Sequence, residues 1–321
     1  MKKIIATVGP SLLYNVPLEQ VHNERNIYRI NGAHGTIHDI EQYILEIKSQ
    51  VKDAKILMDL PGNKVRTAGF PEGFIDIEIN KKFSLSFDQM NYKHFYKHLK
   101  VGDIVWANDS IFKFVVDEVD MDNKKIVFMS YSSGRLLNNK GMHVRGIHDS
   151  IPFLFDKDKE LIALANKHHL SYVGLSFVRT KKDVAEAKNL IDSDITVISK
   201  VETAAAVENL VDIFEEVEYI LIDRGDLSTE IGLTKVPAYQ KYIIDKALFY
   251  GKKVFLATQF LKSMEHNPVP TIPEVIDMYH TLKSGIYGIQ MSEETAVGKY
   301  PKNCLDTICG LMEEIESERL N

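Results

Sequence analysis

The chain has 321 residues, 45% hydrophobic and 26% charged, enough apolar material for one large domain or two modest ones and too much for a disordered polymer. Its 39 Lys and Arg face 45 Asp and Glu, a net charge of −6, so no basic excess is available for a nucleic-acid backbone. No run approaches the roughly 20 apolar residues of a membrane span, the basic N-terminus is broken by Gly9-Pro10 before any cleavage-like site, and Cys304 and Cys309 do not share a helix face; a cytoplasmic protein without a disulfide framework is expected.

Along the chain, eight short β-branched or aromatic runs each end in polar residues and give way to a longer segment. They are Lys3–Val8, Ile27–Ile30, Lys55–Asp59, Tyr172–Phe177, Thr196–Val201, Tyr219–Asp223, Lys253–Ala257 and Gly285–Met291. Most are nearly continuous in apolar residues, as suits parallel strands buried on both faces. Helical periodicity follows the later runs, over Asp183–Ile191, Ala204–Phe214, Ala238–Tyr250 and Pro273–Leu282, the last opening on a proline suited to a first turn. Strand then helix, repeated, predicts a (β/α)8 barrel or a doubly wound sheet.

Between the third and fourth runs the pattern changes. Ile104–Trp106, Phe112–Val116 and Lys125–Tyr131 read as antiparallel strands, with turns at Val101-Gly102-Asp103 and Asp122-Asn123. Setting aside residues 69–145 leaves about 244 of the 321 residues, close to the roughly 250 of a TIM barrel. The expected organisation is α/β: a (β/α)8 barrel from residues 1–68 and 146–321, with a small inserted antiparallel β domain at 69–145 after the third strand, placed to act as a lid.

Barrel chemistry sits at the C-terminal strand ends, and their polar residues form a series. The second strand is followed by Arg29, Asn31 and His34; the third by Asp59, Lys64 and Arg66; the fourth by Ser176 and Arg179. The fifth supplies Lys200 and Glu202, the sixth Arg224-Gly225-Asp226, the seventh Thr258 and Gln259, and the eighth Ser292, Glu293 and Glu294. Lys200 and Glu202 are two apart on a strand and point to one side. Glu202 and Asp226 lie on adjacent predicted strands at equivalent heights, where two carboxylates suit Mg2+ completed by water and substrate oxygens. Alone, a Lys-x-Glu is more often a solvated face and an Arg-Gly-Asp more often a turn. Their recurrence at one end of successive strands points instead to a site for an anionic, phosphate-bearing substrate.

These residues also resemble the pyruvate kinase family, over nearly all of the barrel. The motifs are Lys3-Ile4-Ile5-Ala6-Thr7-Val8-Gly9-Pro10, Arg29-Ile30-Asn31-Gly32-Ala33-His34-Gly35, Ser176-Phe177-Val178-Arg179 and Ile198-Ser199-Lys200-Val201-Glu202. Arg224-Gly225-Asp226-Leu227, Ala257-Thr258-Gln259, Pro270-Thr271, and Glu294-Thr295-Ala296 with Gly298-Lys299-Tyr300-Pro301 continue them in order. The resemblance implies phosphate transfer between phosphoenolpyruvate and a nucleoside diphosphate with Mg2+ or Mn2+. It implies Lys200 at the transferring phosphoryl group, Glu202 and Asp226 as metal ligands, and backbone amides near Arg224, Gly225 and Asp226 for the carboxylate of phosphoenolpyruvate or pyruvate. Thr258 would stand near the enolate carbon with Ser292 in the proton relay, and Arg29, Asn31, His34, Arg66 and Lys140 would line the phosphate and nucleotide side.

Several departures from the family pattern carry information. Ala33, Leu60 and Lys64 replace a Ser, a Thr and a Glu near its monovalent-cation site, which resembles the potassium-independent members, where the lysine stands in for the ion; potassium is not expected to be required. Ile272 replaces an arginine, His280 an asparagine, and Glu293 puts an acid on the nucleotide side, where it would repel phosphates unless paired with Lys299 or Arg29. The chain stops at Asn321, where the last barrel helix should finish, so the family's C-terminal effector domain and tetramers built through it are not expected, and a homodimer through barrel helices stays open. Two alternatives stand beside the kinase reading: a related phosphoenolpyruvate or pyruvate enolate enzyme with another acceptor, and a non-catalytic ligand-binding relative.

Overall fold

The computed structural model describes residues 1–108, 111–146 and 150–318. The chain divides into two compact units, one of residues 1–62, 154–228 and 234–321, the other of residues 63–153 with 229–233.

In the first unit the apolar runs become parallel strands: β1 (Lys3–Thr7), β2 (Asn26–Asn31) and β3 (Ile56–Asp59), and, beyond the inserted β4 to β10, β11 (Tyr172–Leu175), β12 (Thr196–Val201), β13 (Tyr219–Asp223), β14 (Lys253–Ala257) and β15 (Gly288–Met291). They close in the order β1-β15-β14-β13-β12-β11-β3-β2, a parallel eight-stranded TIM barrel. The burial agrees with strands covered on both faces: every residue of β3, β13 and β15 is buried. The helices are α1 (Ile37–Gln50), α2 (Asp156–Lys167), α3 (Lys181–Lys188), α4 (Ala204–Glu208), α5 (Leu210–Glu216), α6 (Arg224–Ile231), α7 (Val236–Phe249), α8 (Ile272–Lys283), α9 (Glu293–Ala296) and α10 (Pro301–Glu318). Helix α1 opens on a Thr36–Asp39 capping box, and α8 on Thr271–Glu274 with a proline in its first turn.

Among the predicted elements whose extent changes, three do so for local reasons that the geometry shows. The helix expected over Ala204–Phe214 is two helices, because Asn209 leaves helical geometry (φ −96°, ψ 19°) and its side-chain amide donates to the carbonyls of Arg179 and Ala205. The fourth barrel strand ends at Leu175, since Phe177 adopts a left-handed conformation with φ of 57°. The eighth begins at Gly288, because Gly285 turns the chain at φ 94°.

The second unit is antiparallel. Strand β4 (Phe74–Ile77) pairs with β9 (Gly134–Leu137). The five-stranded sheet has the order β10-β6-β7-β8-β5, from β5 (Lys82–Ser86), β6 (Ile104–Ala107), β7 (Phe112–Asp120), β8 (Lys125–Ser130) and β10 (Met142–His143). Burial alternates along β8, so one sheet face packs on Phe83, Phe114 and Phe128 while the other meets solvent. Residues 229–233 belong to this unit, where Glu230 Oε1 lies 3.1 Å from His143 Nε2. Among the described residues no helix is long and apolar enough to cross a membrane, and both cysteines are free.

Candidate active site

At the C-terminal end of the barrel, Lys200 near the end of β12 and Glu202 just past it extend to the same side, and both are buried. Lys200 Nζ lies 2.7 Å from Glu202 Oε1, 3.0 Å from Ser176 Oγ, 3.4 Å from Asp59 Oδ1 and 4.0 Å from Asp223 Oδ2. Burial works against its charge, but Asp59, Glu202 and Asp223 outweigh burial and hold the ammonium above the ordinary lysine range. Arg29, from β2, ties Asp59 from the other side: Nε and Nη2 each meet Asp59 Oδ2 at 2.7 Å, and Nη1 donates to Thr7 Oγ1 at 2.7 Å. Strand β11 leaves room for this pairing through Gly174, where a Cβ would stand 3.0 Å from Asp59 Oδ1.

Glu202 is held by the left-handed Phe177, whose amide donates to Oε2 at 2.8 Å. Carboxylate oxygens of Glu202, Asp223 and Asp226 lie within 4.8 Å of one another. Burial pushes the Glu202 carboxyl up, Lys200 pulls it down, and Asp226 and Asp223 push it up again; the result is a raised proton affinity. An all-oxygen donor set, with Glu202 and Asp223 buried and Asp226 half-buried, whose members repel one another fits a hard divalent cation such as Mg2+ or Mn2+. Asp223 is the member that sequence reasoning missed, because it reads there as the last residue of a strand. The available signal was two acids flanking Gly225 at a strand-to-helix turn.

The other expected residues fall into separate groups. Thr258, left-handed at φ 73°, places Oγ1 3.0 Å from the Gly225 amide and 3.3 Å from Asp223 Oδ1. The Arg224 guanidinium is a brace: it donates to Thr258 O at 2.6 and 3.1 Å and to Asp277 at 2.9 Å, and stacks 4.2 Å over the Phe260 ring. The amides of Gly225 and Asp226 are engaged by Asp223 Oδ1 at 3.0 and 3.5 Å. Asn31, His34, Arg29 and Ser292 line a cavity of about 650 Å3 with Tyr14 and Glu293. Of the two cations that could have paired with Glu293, Lys299 and Arg29, Arg29 is committed to Asp59, and Lys262 stands 3.9 Å from the Glu293 carboxylate. Lys64, Arg66 and Lys140 belong to the second unit, where Arg66 bridges Gly141, Thr67 N donates to Lys140 O at 2.9 Å, and the Lys64 side chain lies against Gly141.

A family model for the pyruvate kinase barrel domain matches residues 1–305. This chain belongs to the pyruvate kinase family. Similar proteins include the pyruvate kinase of Thermotoga maritima, 34% identical over 98% of this chain and 71% of that protein. The pyruvate kinases of Bacillus licheniformis and Staphylococcus aureus are 31% and 29% identical over 99% and 95% of this chain, and the chain spans 57% and 55% of their lengths. The expectation of a pyruvate-kinase-like enzyme on a TIM barrel with an inserted β domain therefore stands.

Proposed function

We propose that the chain transfers a phosphoryl group between phosphoenolpyruvate and a nucleoside diphosphate, with Glu202 and Asp226 holding Mg2+ or Mn2+. The observation that carries this reading is the buried Lys200 ammonium 2.7 Å from Glu202, within a set of carboxylates that converge on one place. Phosphoryl transfer asks the protein mainly for positioning and charge neutralisation. Lys200, kept protonated by its carboxylate neighbours, meets the phosphoryl group in flight. A divalent ion, when bound, adds positive charge against the phosphoryl and enolate oxygens. Thr258 stands at the enolate carbon, with Ser292 in the relay that delivers the proton. Backbone amides at Arg224, Gly225 and Asp226 receive the substrate carboxylate, and Arg29, Asn31, His34, Arg66 and Lys140 serve the phosphate and nucleotide side. Residues 69–145 act as a lid on the barrel formed by 1–68 and 146–321, in a cytoplasmic enzyme able to dimerise through barrel helices.

A lactate-dehydrogenase-coupled assay with phosphoenolpyruvate, Mg2+ and a panel of diphosphates tests the reading, with pyruvate formation as the expected result. Glu293, in the cavity with Arg29, Asn31 and His34, favours a second reading in which the acceptor differs from a nucleotide. Metal-dependent deuterium exchange into pyruvate without kinase turnover would select it. Lys64 replaces the monovalent cation, so turnover in potassium-free buffer is expected to stay within about twofold of that with potassium; strict dependence on added potassium removes this assignment.

A further inference from the structure

The first turn of α6 exposes amides that favour an anion, as helix N-termini do. Here the anion belongs to the chain. Asp223 Oδ1 accepts from Gly225 N at 3.0 Å and faces Asp226 N at 3.5 Å, with the Thr258 hydroxyl 3.3 Å away. Its Oδ2 is turned toward Lys200 Nζ, at 4.0 Å, and the residue shares the carboxylate cluster with Glu202 and Asp226. Gly225 keeps the arrangement close, since a Cβ there would stand 3.3 Å from Asp223 Oδ1.

Charge points the same way. Asp223 sets a carboxylate beside those of Glu202 and Asp226, so it repels a further anion arriving at this seat, and its removal makes the place more favourable to one.

We infer that Asp223 is an intramolecular competitor for the substrate carboxylate: it fills the amide seat at the start of α6 and repels a second carboxylate there, so that carboxylate substrates bind only as Asp223 yields. This makes it a specificity-determining residue, one that sets how tightly a carboxylate substrate is held at that place. The inference rests on the reading of Glu202 and Asp226 as metal ligands.

The test is binding of oxalate, a small dicarboxylate, to the full chain at saturating Mn2+, by calorimetry, for wild type, Asp223→Asn and Asp223→Ala. Asn keeps an acceptor in the seat but removes the charge; Ala does neither. Oxalate is expected to bind about tenfold tighter to the Asn variant and about a hundredfold tighter to the Ala variant, with Mn2+ alone binding both more weakly than wild type. Oxalate no tighter in the Asn variant overturns the inference, and that arm stands even where the Ala variant does not fold. Equal gains in both variants overturn the seat competition. Wild type that binds Mn2+ while oxalate affinity ignores Asp223 overturns this inference alone; wild type that binds no Mn2+ overturns the metal reading and this inference with it.

Discussion

The two ends of the barrel are built from the same strands and solve opposite problems. At the N-terminal end, Tyr172, Tyr219, Phe255 and Tyr287 pack ring against ring, with centroids 5.4 to 6.3 Å apart, on a floor of Ile5, Ile27, Leu57 and Ile198. The Lys253 ammonium caps this cluster over the Tyr219 and Tyr287 rings and pairs with Glu218 at 2.6 Å. At the C-terminal end the buried side chains include Arg29, Asp59, Lys200, Glu202 and Asp223, joined by charge and hydrogen bonds. Burying unlike charges stabilises little after desolvation, whereas aromatic burial stabilises strongly. One end supplies the stability that lets the other hold a strained and crowded set of ions, with Phe177 and Thr258 both left-handed.

That division of labour can be broken by substitution. The largest effect is expected for Lys200→Met, which keeps the volume and removes the charge: turnover should fall by about a thousandfold or more, while Mn2+ binding by the same preparation changes only a few-fold. Near-normal turnover would show that the charged end does not depend on this ammonium. Next, Phe255→Ala, at a fully buried position of the opposite end, should cost about 3–5 kcal/mol, read as a lowered denaturant midpoint, with Mn2+ affinity per folded molecule unchanged. A variant of undiminished stability would show that the aromatic end is not the anchor.

The smallest effect sharpens the comparison through pH. Glu294, at the start of α9, is buried and accepts from the Ser292 amide at 2.8 Å; burial pushes its carboxyl from the ordinary 4.5 up to about 7. The folded state thus binds the proton more tightly than the unfolded chain, so this group's contribution to stability is full below about pH 4.5 and is lost as pH rises through about 7. Glu294→Gln keeps an acceptor and removes the titration. Its melting temperature relative to wild type should therefore rise by a few degrees between pH 4.5 and pH 8. A difference that does not move with pH would mean that Glu294 is not strained by its burial.

Much of this arrangement is legible in the order of residues. The runs over Thr196–Val201, Tyr219–Asp223 and Lys253–Ala257 match β12, β13 and β14 because continuous apolar runs bounded by polar residues leave little choice to a parallel strand. The convergence of Lys200 with Glu202 follows from strand alternation, and Asp226 follows from its place after β13. Asp223 escaped because its role depends on a turn that brings it back onto the amides two and three residues ahead, with Thr258 arriving from the next strand. Likewise Glu293 and Lys262 meet only because β14 and β15 are neighbours.

The sequence by itself therefore determined the barrel, the end of it where charged residues gather, and the residue types gathered there, since period and spacing are local properties of a chain. Tertiary structure decided which charges neutralise which. Arg29 finds Asp59 through the β2–β3 register, and Thr7 reaches Met291 because the first strand closes on the last. These pairings join residues far apart in the chain, and no local preference encodes them; they follow from strand order and register, which are fixed only when the whole sheet closes.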